Sequence, residues 1–318
     1  MKPMRSIPVS RSRLVVSALL AFAFFLFATA SAAVAQQDYK SPQDAVDALV
    51  AAARSGDDKA ALVVLGRSGK DIISSGDPVA DTAARERFVR TYDGKHQIAL
   101  EGDRKAILVL GDDDYPFPIP LLRVKGMWSF DTEAGREEIL FRRIGRNELE
   151  TIQTCLAYVD AQNEYAAEDR TGAGAGVYAQ RFVSEPGKKD GLYWPTAEGE
   201  APSPLGELFA EATQQGYRVG EGRSPYHGYY FRILTRQGAA AEGGAGDYVV
   251  DGKMIGGFAL VAYPAEYRNS GVMTFIVNYA GTIFQKDLGP HSAAIAENMT
   301  AFNPDPTWKK VDAGQAAD

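Results

Sequence analysis

The chain has 318 residues, with 34 Lys and Arg against 41 Asp and Glu, and its first 35 residues hold four of the basic ones and no acid. Without that segment the net charge moves from −7 to −11 over 283 residues, too long for a disulfide miniprotein and long enough for two cores at ~100–200 residues per domain. The acidic remainder shows no Lys/Arg cluster, which argues against nucleic acid and anionic lipid as partners, and a hydrophobic content of 45% excludes wholesale disorder.

Met1 to Arg13 is basic, Leu14 to Ala30 is almost unbroken apolar sequence, and Ala33-Val34-Ala35 places small residues where a signal peptidase reads. This pattern predicts a secretory signal peptide over 1–35, cleaved after Ala35, and a periplasmic protein. No later apolar run approaches the ~18 residues of a membrane span, so a soluble mature chain is expected. Cys155 is the only cysteine; on the apolar side of a predicted helix it reads as a small buried hydrophobe, and no internal disulfide can form.

Ser41-Pro42-Gln43-Asp44 carries an N-cap, a first-turn proline and an acid at the third helical position, predicting a helix to about Ser55-Gly56. Asp57 caps a second helix through Leu65, and Asp77-Pro78 opens a third through Tyr92 with Phe88 and Val89 as its apolar contacts. Strands follow at His96 to Glu101, Lys105 to Leu110, Leu121 to Val124 and Met127 to Phe130. From Thr132 the pattern turns helical again, with a stripe of Leu149, Ile152, Leu156, Val159 and Tyr165. Gly145 is taken as a break and the domain boundary, giving an N-terminal α+β domain over 39–145, a second over 146–311 and a disordered tail over 312–318. Pro- and Gly-rich loops then enclose a short helix near Leu205 to Gln215 before strands at Tyr229 to Thr235, Gly257 to Tyr263, Val272 to Asn278 and Thr282 to Lys286. The expected class is α+β, with antiparallel sheets in both halves.

Helices followed by a meander ending in Trp128 and Phe130 resemble the cone-shaped nuclear-transport-factor-2-like fold. The second half, with Asn147-Glu148, Ala161-Gln162 and Tyr165, then Gly216-Tyr217, Ala262-Tyr263-Pro264 and Gly271 to Val277, resembles the globular part of type IV pilins and pseudopilins. A pilin carries its membrane helix directly before this domain, whereas here about 110 residues intervene, which speaks against pilus-type polymerisation. Over roughly Tyr39 to Val311 the chain also resembles an uncharacterised family of exported bacterial proteins, the domain of unknown function twenty-nine fifty. The strings that carry this resemblance are Ile144 to Leu149, Asp190 to Pro195, Ser203 to Gly206, Pro225 to Tyr230 and Gly271 to Phe275. It implies export and a shared fold, and carries no activity over.

Motifs for chemistry are sparse. His96 and His291 have no partner spacing, and no zinc pattern occurs, so neither metal nor cofactor is expected. Ser184, Ser203, Ser224 and Ser270 lie in loops without a nucleophile elbow, and Gly243 to Gly246 reads as a hairpin tip. Asp112-Asp113-Asp114 reads as a solvated acidic loop, and Glu207, Glu211 and Glu242 as surface charge. Two aromatic stretches stand out: Tyr193-Trp194 before Pro195, and Tyr226-His227-Gly228-Tyr229. Tyr193, Trp194, Tyr226, His227 and Tyr229 are the candidate ligand-binding residues, able to wall a groove for a planar or sugar ligand beside one titratable ring. The expected function is a non-enzymatic interaction or cell-envelope assembly module with a protein partner. The alternative is a glycan- or small-ligand-binding protein, or a hydrolase, that uses this groove.

Overall fold

Side-chain caps set the helices that open the fold, which we describe from a computed structural model covering residues 35–218 and 224–312. The expected signal segment, apart from Ala35, and the expected tail, apart from Asp312, lie outside the described residues. Helix α1 (Pro42–Ser55) begins with a reciprocal capping box between Ser41 and Asp44 and ends at Gly56 in the left-handed conformation, φ 65°. Helix α2 (Asp58–Leu65) is capped by the Asp57 carboxylate, and after a short α3 (Lys70–Ile73) the Asp77 carboxylate caps α4 (Pro78–Gly94).

The chain then enters β1 (His96–Glu101), β2 (Lys105–Leu110), β3 (Tyr115–Pro116), β4 (Leu121–Val124) and β5 (Met127–Phe130). They form one antiparallel sheet ordered β1-β2-β4-β5, with β3 also on β2. Ala106, Leu108, Leu110, Leu121, Trp128 and Phe130 face inward against Val46, Leu49, Val50 and Leu65 of the first helices. Alternate residues of β2 are fully buried, as a sheet with one face on the core requires.

Helix α5 runs without interruption from Thr132 to Ala166. The break expected at Gly145 does not occur. A mid-helix glycine costs only ~1 kcal/mol, and this helix is anchored at both ends, by Leu140 and Ile139 beside the first core and by Ile152, Cys155 and Val159 in a second. The boundary expected at Arg146 therefore falls inside one rigid element, and all described residues belong to one compact unit. Of the predicted stripe, Ile152, Val159 and Tyr165 are buried, whereas Leu149 is 47% exposed because it lies on the far side of the helix.

After α6 (Gly206–Gln214) come β6 (Tyr229–Leu234), four two-residue strands β7 (Arg236–Gln237), β8 (Gly246–Asp247), β9 (Val249–Val250) and β10 (Lys253–Met254), and then β11 (Ala259–Pro264), β12 (Met273–Asn278) and β13 (Ile283–Asp287). The glycine-rich Gly243-Gly244 segment sits at the tip of the β7–β8 hairpin, as expected. Helix α7 (Ser292–Asn298), β14 (Ala301–Phe302) and β15 (Lys309–Lys310), absent from the sequence reading, complete the chain. The larger sheet is ordered β15-β13-β12-β11-β6 and is antiparallel throughout. Strand β11 is buried at all six positions, so both its faces are covered, and α5 and α7 both pack against it. Arg232 fixes α7 by donating to the carbonyls of Ala296 and Met299 at its end. The α+β class holds, with antiparallel sheets apart from the two-residue parallel pair of β14 and β7.

Candidate functional site

Between the two cores the chain places a buried polar junction, and α5 supplies its spine. Arg143 donates to the carbonyls of Asp71 and Ile72 and to Asn269 Oδ1, and Asn269 in turn donates to the Ser74 carbonyl at 2.8 Å. One turn further, Asn147 donates to the Ser270 carbonyl at 2.9 Å. The next residue, Glu148, accepts the Val272 and Met273 N–H groups at 2.9 Å each, fixing the start of β12. Burial lowers the Arg143 pKa, an effect opposed first by Asp81.

Asp77 is the second anchor. It is 1% exposed, and its Oδ1 accepts the Val79 and Ala80 N–H groups while Oδ2 accepts the Tyr217 hydroxyl at 2.9 Å and the Gly228 N–H at 2.8 Å. Tyr217 also accepts the His227 N–H at 3.3 Å. The geometry comes from a two-residue hairpin turn: Tyr226 and Tyr229 exchange backbone hydrogen bonds, and His227 and Gly228 both have positive φ, 49° and 74°, the combination that suits tight hairpins. A Cβ on Gly228 would fall 2.7 Å from Asn147 Nδ2, so the turn approaches α5 as closely as it can. Three of the strings singled out in the sequence, Ile144 to Leu149, Pro225 to Tyr230 and Gly271 to Phe275, thus meet at one place.

Beside this junction lies a cavity of ≈ 440 Å³ bounded by α5, α6 and β6. Its walls include Tyr158, Phe182, Phe209, Tyr226, Tyr230 and Phe231, with Thr154, Arg218 and Ser224 as polar groups. The Tyr226 hydroxyl is pushed up to about 12 by burial, then by Glu211 and Glu150. Tyr217 is raised further, by burial and then by Asp77. Burial lowers the His227 pKa, opposed by Glu150, Asp77 and Glu211 and assisted by Arg146.

Of the five candidate residues, Tyr226 alone lines the cavity. Tyr193 stands behind the wall, stacked on Phe209 with centroids 4.5 Å apart. Trp194 is 6% exposed and packed in the second core under Arg170 and Lys189, and Tyr229 is fully buried with its hydroxyl donating to the Met273 carbonyl. His227 packs on Tyr226 with centroids 4.1 Å apart and sits at the turn. Asp77, Arg143, Asn147, Glu148 and Tyr217 are not among the candidate residues of the sequence, where Asn147 and Glu148 stand only within the strings that carry the family resemblances. Asp77 was visible only as a helix cap, and Tyr217 only within Gly216-Tyr217.

Of the cysteine and the four serines singled out in the sequence, only Ser224 lines the cavity. Cys155 is fully buried, and burial pushes its thiol up to about 12. Ser184 accepts the Gly191 N–H, Ser270 accepts the Glu266 N–H, and Ser203 is buried. Asp112, Asp113 and Asp114 are exposed, with Asp114 paired to Lys95 at 2.9 Å. Among the described residues no group of three His, Cys, Asp or Glu converges as a metal site, and no helix is long and apolar enough to cross a membrane.

The family described as "Protein of unknown function (DUF2950)" matches residues 36–311, and the chain belongs to it. No curated protein and no solved structure matches the chain, so the pilin likeness draws no support from known folds.

Proposed function

We propose that this member of the DUF2950 family is an exported, non-enzymatic binding protein that holds a small apolar or aromatic molecule between α5, α6 and β6. The observation that carries the reading is the aromatic cavity beside the junction, whose ≈ 440 Å³ falls within the ~300–1,000 Å³ of small-molecule sites. Its wall of rings with few polar groups favours a flat apolar ligand over a glycan, because a sugar needs hydrogen-bond partners around its whole edge. Tyr226 is the contact ring and Tyr193 the ring that holds Phe209 in place. Export to the periplasm rests on the basic, apolar and Ala-Val-Ala segments in order.

The test is saturable binding of N-phenyl-1-naphthylamine, followed by its fluorescence, in the native protein and in Leu208→Trp, which fills the cavity. One site per chain, lost in a Leu208→Trp variant that still melts cooperatively, supports the reading. Linear, unsaturable partitioning of the dye overturns it.

A second reading, docking of an envelope protein, is favoured by Phe141, Gly145 and Leu149, which follow one another at four-residue spacing on an exposed strip of α5, with Phe141 76% and Leu149 47% exposed. A partner crosslinked to the native chain in periplasmic extract and lost with Phe141→Glu supports it; identical crosslinking by the variant refutes it.

A further inference from the structure

Helix α4 buries only Tyr92 outright, although a surface helix ordinarily packs a continuous apolar stripe on the core. Ala80, Ala84 and Phe88, one turn apart, instead line a second cleft of ≈ 440 Å³ between α4 and α5, whose floor includes Leu49, Ile72 and Ile139. The same cleft is bordered by five guanidinium groups, Arg85 and Arg87 from α4 and Arg142, Arg143 and Arg146 from α5.

These cations are not equivalent. Arg142 pairs with Glu138, and Arg143 is spent on Asn269 and two carbonyls. Among the described residues, Arg85 donates only to the Thr82 hydroxyl. Among the described residues, Arg87 and Arg146 donate no hydrogen bond and form no ion pair. Loss of hydration first and repulsion by Arg87 second lower the Arg146 pKa, opposed by Glu150 one turn further along α5. The lining carboxylates form no ion pair with either: Asp57 accepts the Lys59 and Ala60 N–H groups, Asp81 accepts the Ser75 N–H and hydroxyl and acts on Arg143, and Asp58 lies on α2. In a chain whose mature part carries a net charge of −11, two like charges bordering one apolar cleft, neither held in an ion pair among the described residues, offer a place to an anion from outside. No run of basic residues announces this in the sequence, because the groups come from two helices some 55 positions apart.

We propose that this cleft binds a single alkyl chain ending in an anionic headgroup, with the headgroup between Arg87 and Arg146 and the chain over Ile72, Phe88 and Ile139. Guanidinium hydrogen bonds to an anion are stronger than neutral ones and suit carboxylate and phosphate alike, while the apolar floor gives the chain a surface it does not have in water. The site is separate from the aromatic cavity, which shares none of its lining residues.

Isothermal titration with dodecanoate and with dodecyl phosphate, each below its micellar concentration, tests this. The expected result is one saturable site per chain, with dodecanol at least ~10-fold weaker and Arg87→Gln/Arg146→Gln losing roughly 10-fold or more for both anions. The two anions together tell which headgroup is preferred. The Arg87 and Arg146 side chains are exposed and donate no hydrogen bond among the described residues, so the double variant retains its fold, checked by an unchanged melting temperature. Ala84→Trp, which fills the cleft, abolishes binding, whereas Leu208→Trp in the aromatic cavity leaves it intact. Absence of saturable binding, equal binding of dodecanol, indifference to the double arginine variant, or loss in Leu208→Trp rather than Ala84→Trp overturns the proposal.

Discussion

Removing the Asp77 carboxylate is expected to loosen the hold of the two cores on one another. In Asp77→Ala the cap of α4 is lost, at about 1 kcal/mol. The Gly228 N–H and the Tyr217 hydroxyl, which now donate to Oδ2 at 2.8 and 2.9 Å, are left buried without an acceptor, at about 1–3 kcal/mol each. The sum, on the order of 4 kcal/mol, is a large share of the ~5–15 kcal/mol by which a domain is stable. It corresponds to a fall in Tm of roughly 8 °C for a chain of this size. Asp77→Asn keeps Oδ1 as a cap but turns an amide N–H₂ toward Gly228, so it falls between the two at about 1–3 kcal/mol. Urea unfolding of the native protein, both variants and Tyr217→Phe gives the values. The Asp77→Ala/Tyr217→Phe cycle should show a coupling of about 0.5–3 kcal/mol. A loss under about 1 kcal/mol in Asp77→Ala, or additivity of the two substitutions within ~0.5 kcal/mol, would refute the reasoning.

His227→Asn tolerates the positive φ of the turn and removes a titrating ring. Because burial lowers the folded pKa of His227, the unfolded chain binds the proton more tightly, and native stability falls as pH drops through about 6.5 and below; stability curves from pH 8 to 5 should show that acid loss reduced in the variant, and parallel curves would count against a buried neutral ring. Gly228→Ala forces a side chain into φ 74° and within 2.7 Å of Asn147 Nδ2, so unfolding should show a loss of at least about 2 kcal/mol. Gly145→Ala lies mid-helix with nothing within 4 Å of its Cβ. It should raise stability by about 1 kcal/mol, and a lower Tm would contradict an unbroken α5.

Local elements were readable because their signals are local. The strands His96–Glu101, Lys105–Leu110, Leu121–Val124 and Met127–Phe130 match their expected bounds residue for residue, each being a short run set off by neighbouring turn residues such as Gly102-Asp103, Pro120 and Lys125-Gly126. The starts of α1 and α4 were announced by Ser41 and Asp77, whose carboxylate or hydroxyl caps work within three residues. The error at Gly145 has the opposite origin. A glycine signals a helix end only when nothing beyond it needs the helix, and here Ile152 and Cys155, two to three turns further on, are held in a core built by strands that begin only at Tyr229.

The junction was illegible for a related reason. Asp77 meets Tyr217 across 140 positions, Ser74 meets Asn269 across 195, and Arg143 meets the same asparagine across 126. Each contact uses isolated polar side chains on a loop or helix edge, where neither a period of 3.6 nor of 2 marks them out. The aromatic stretches were visible, but their division was not. Tyr226 and Tyr229 flank the same two-residue turn, yet one rings the cavity while the other is buried with its hydroxyl on Met273. What separates them is the turn itself: positive φ at both His227 and Gly228 closes a hairpin, and in a hairpin the two flanking residues are paired across the strands while their surroundings are set by what lies over each. The Gly228 N–H then reaches Asp77, so the cap of α4, the wall of the cavity and the spine of α5 are positioned by one turn of the chain.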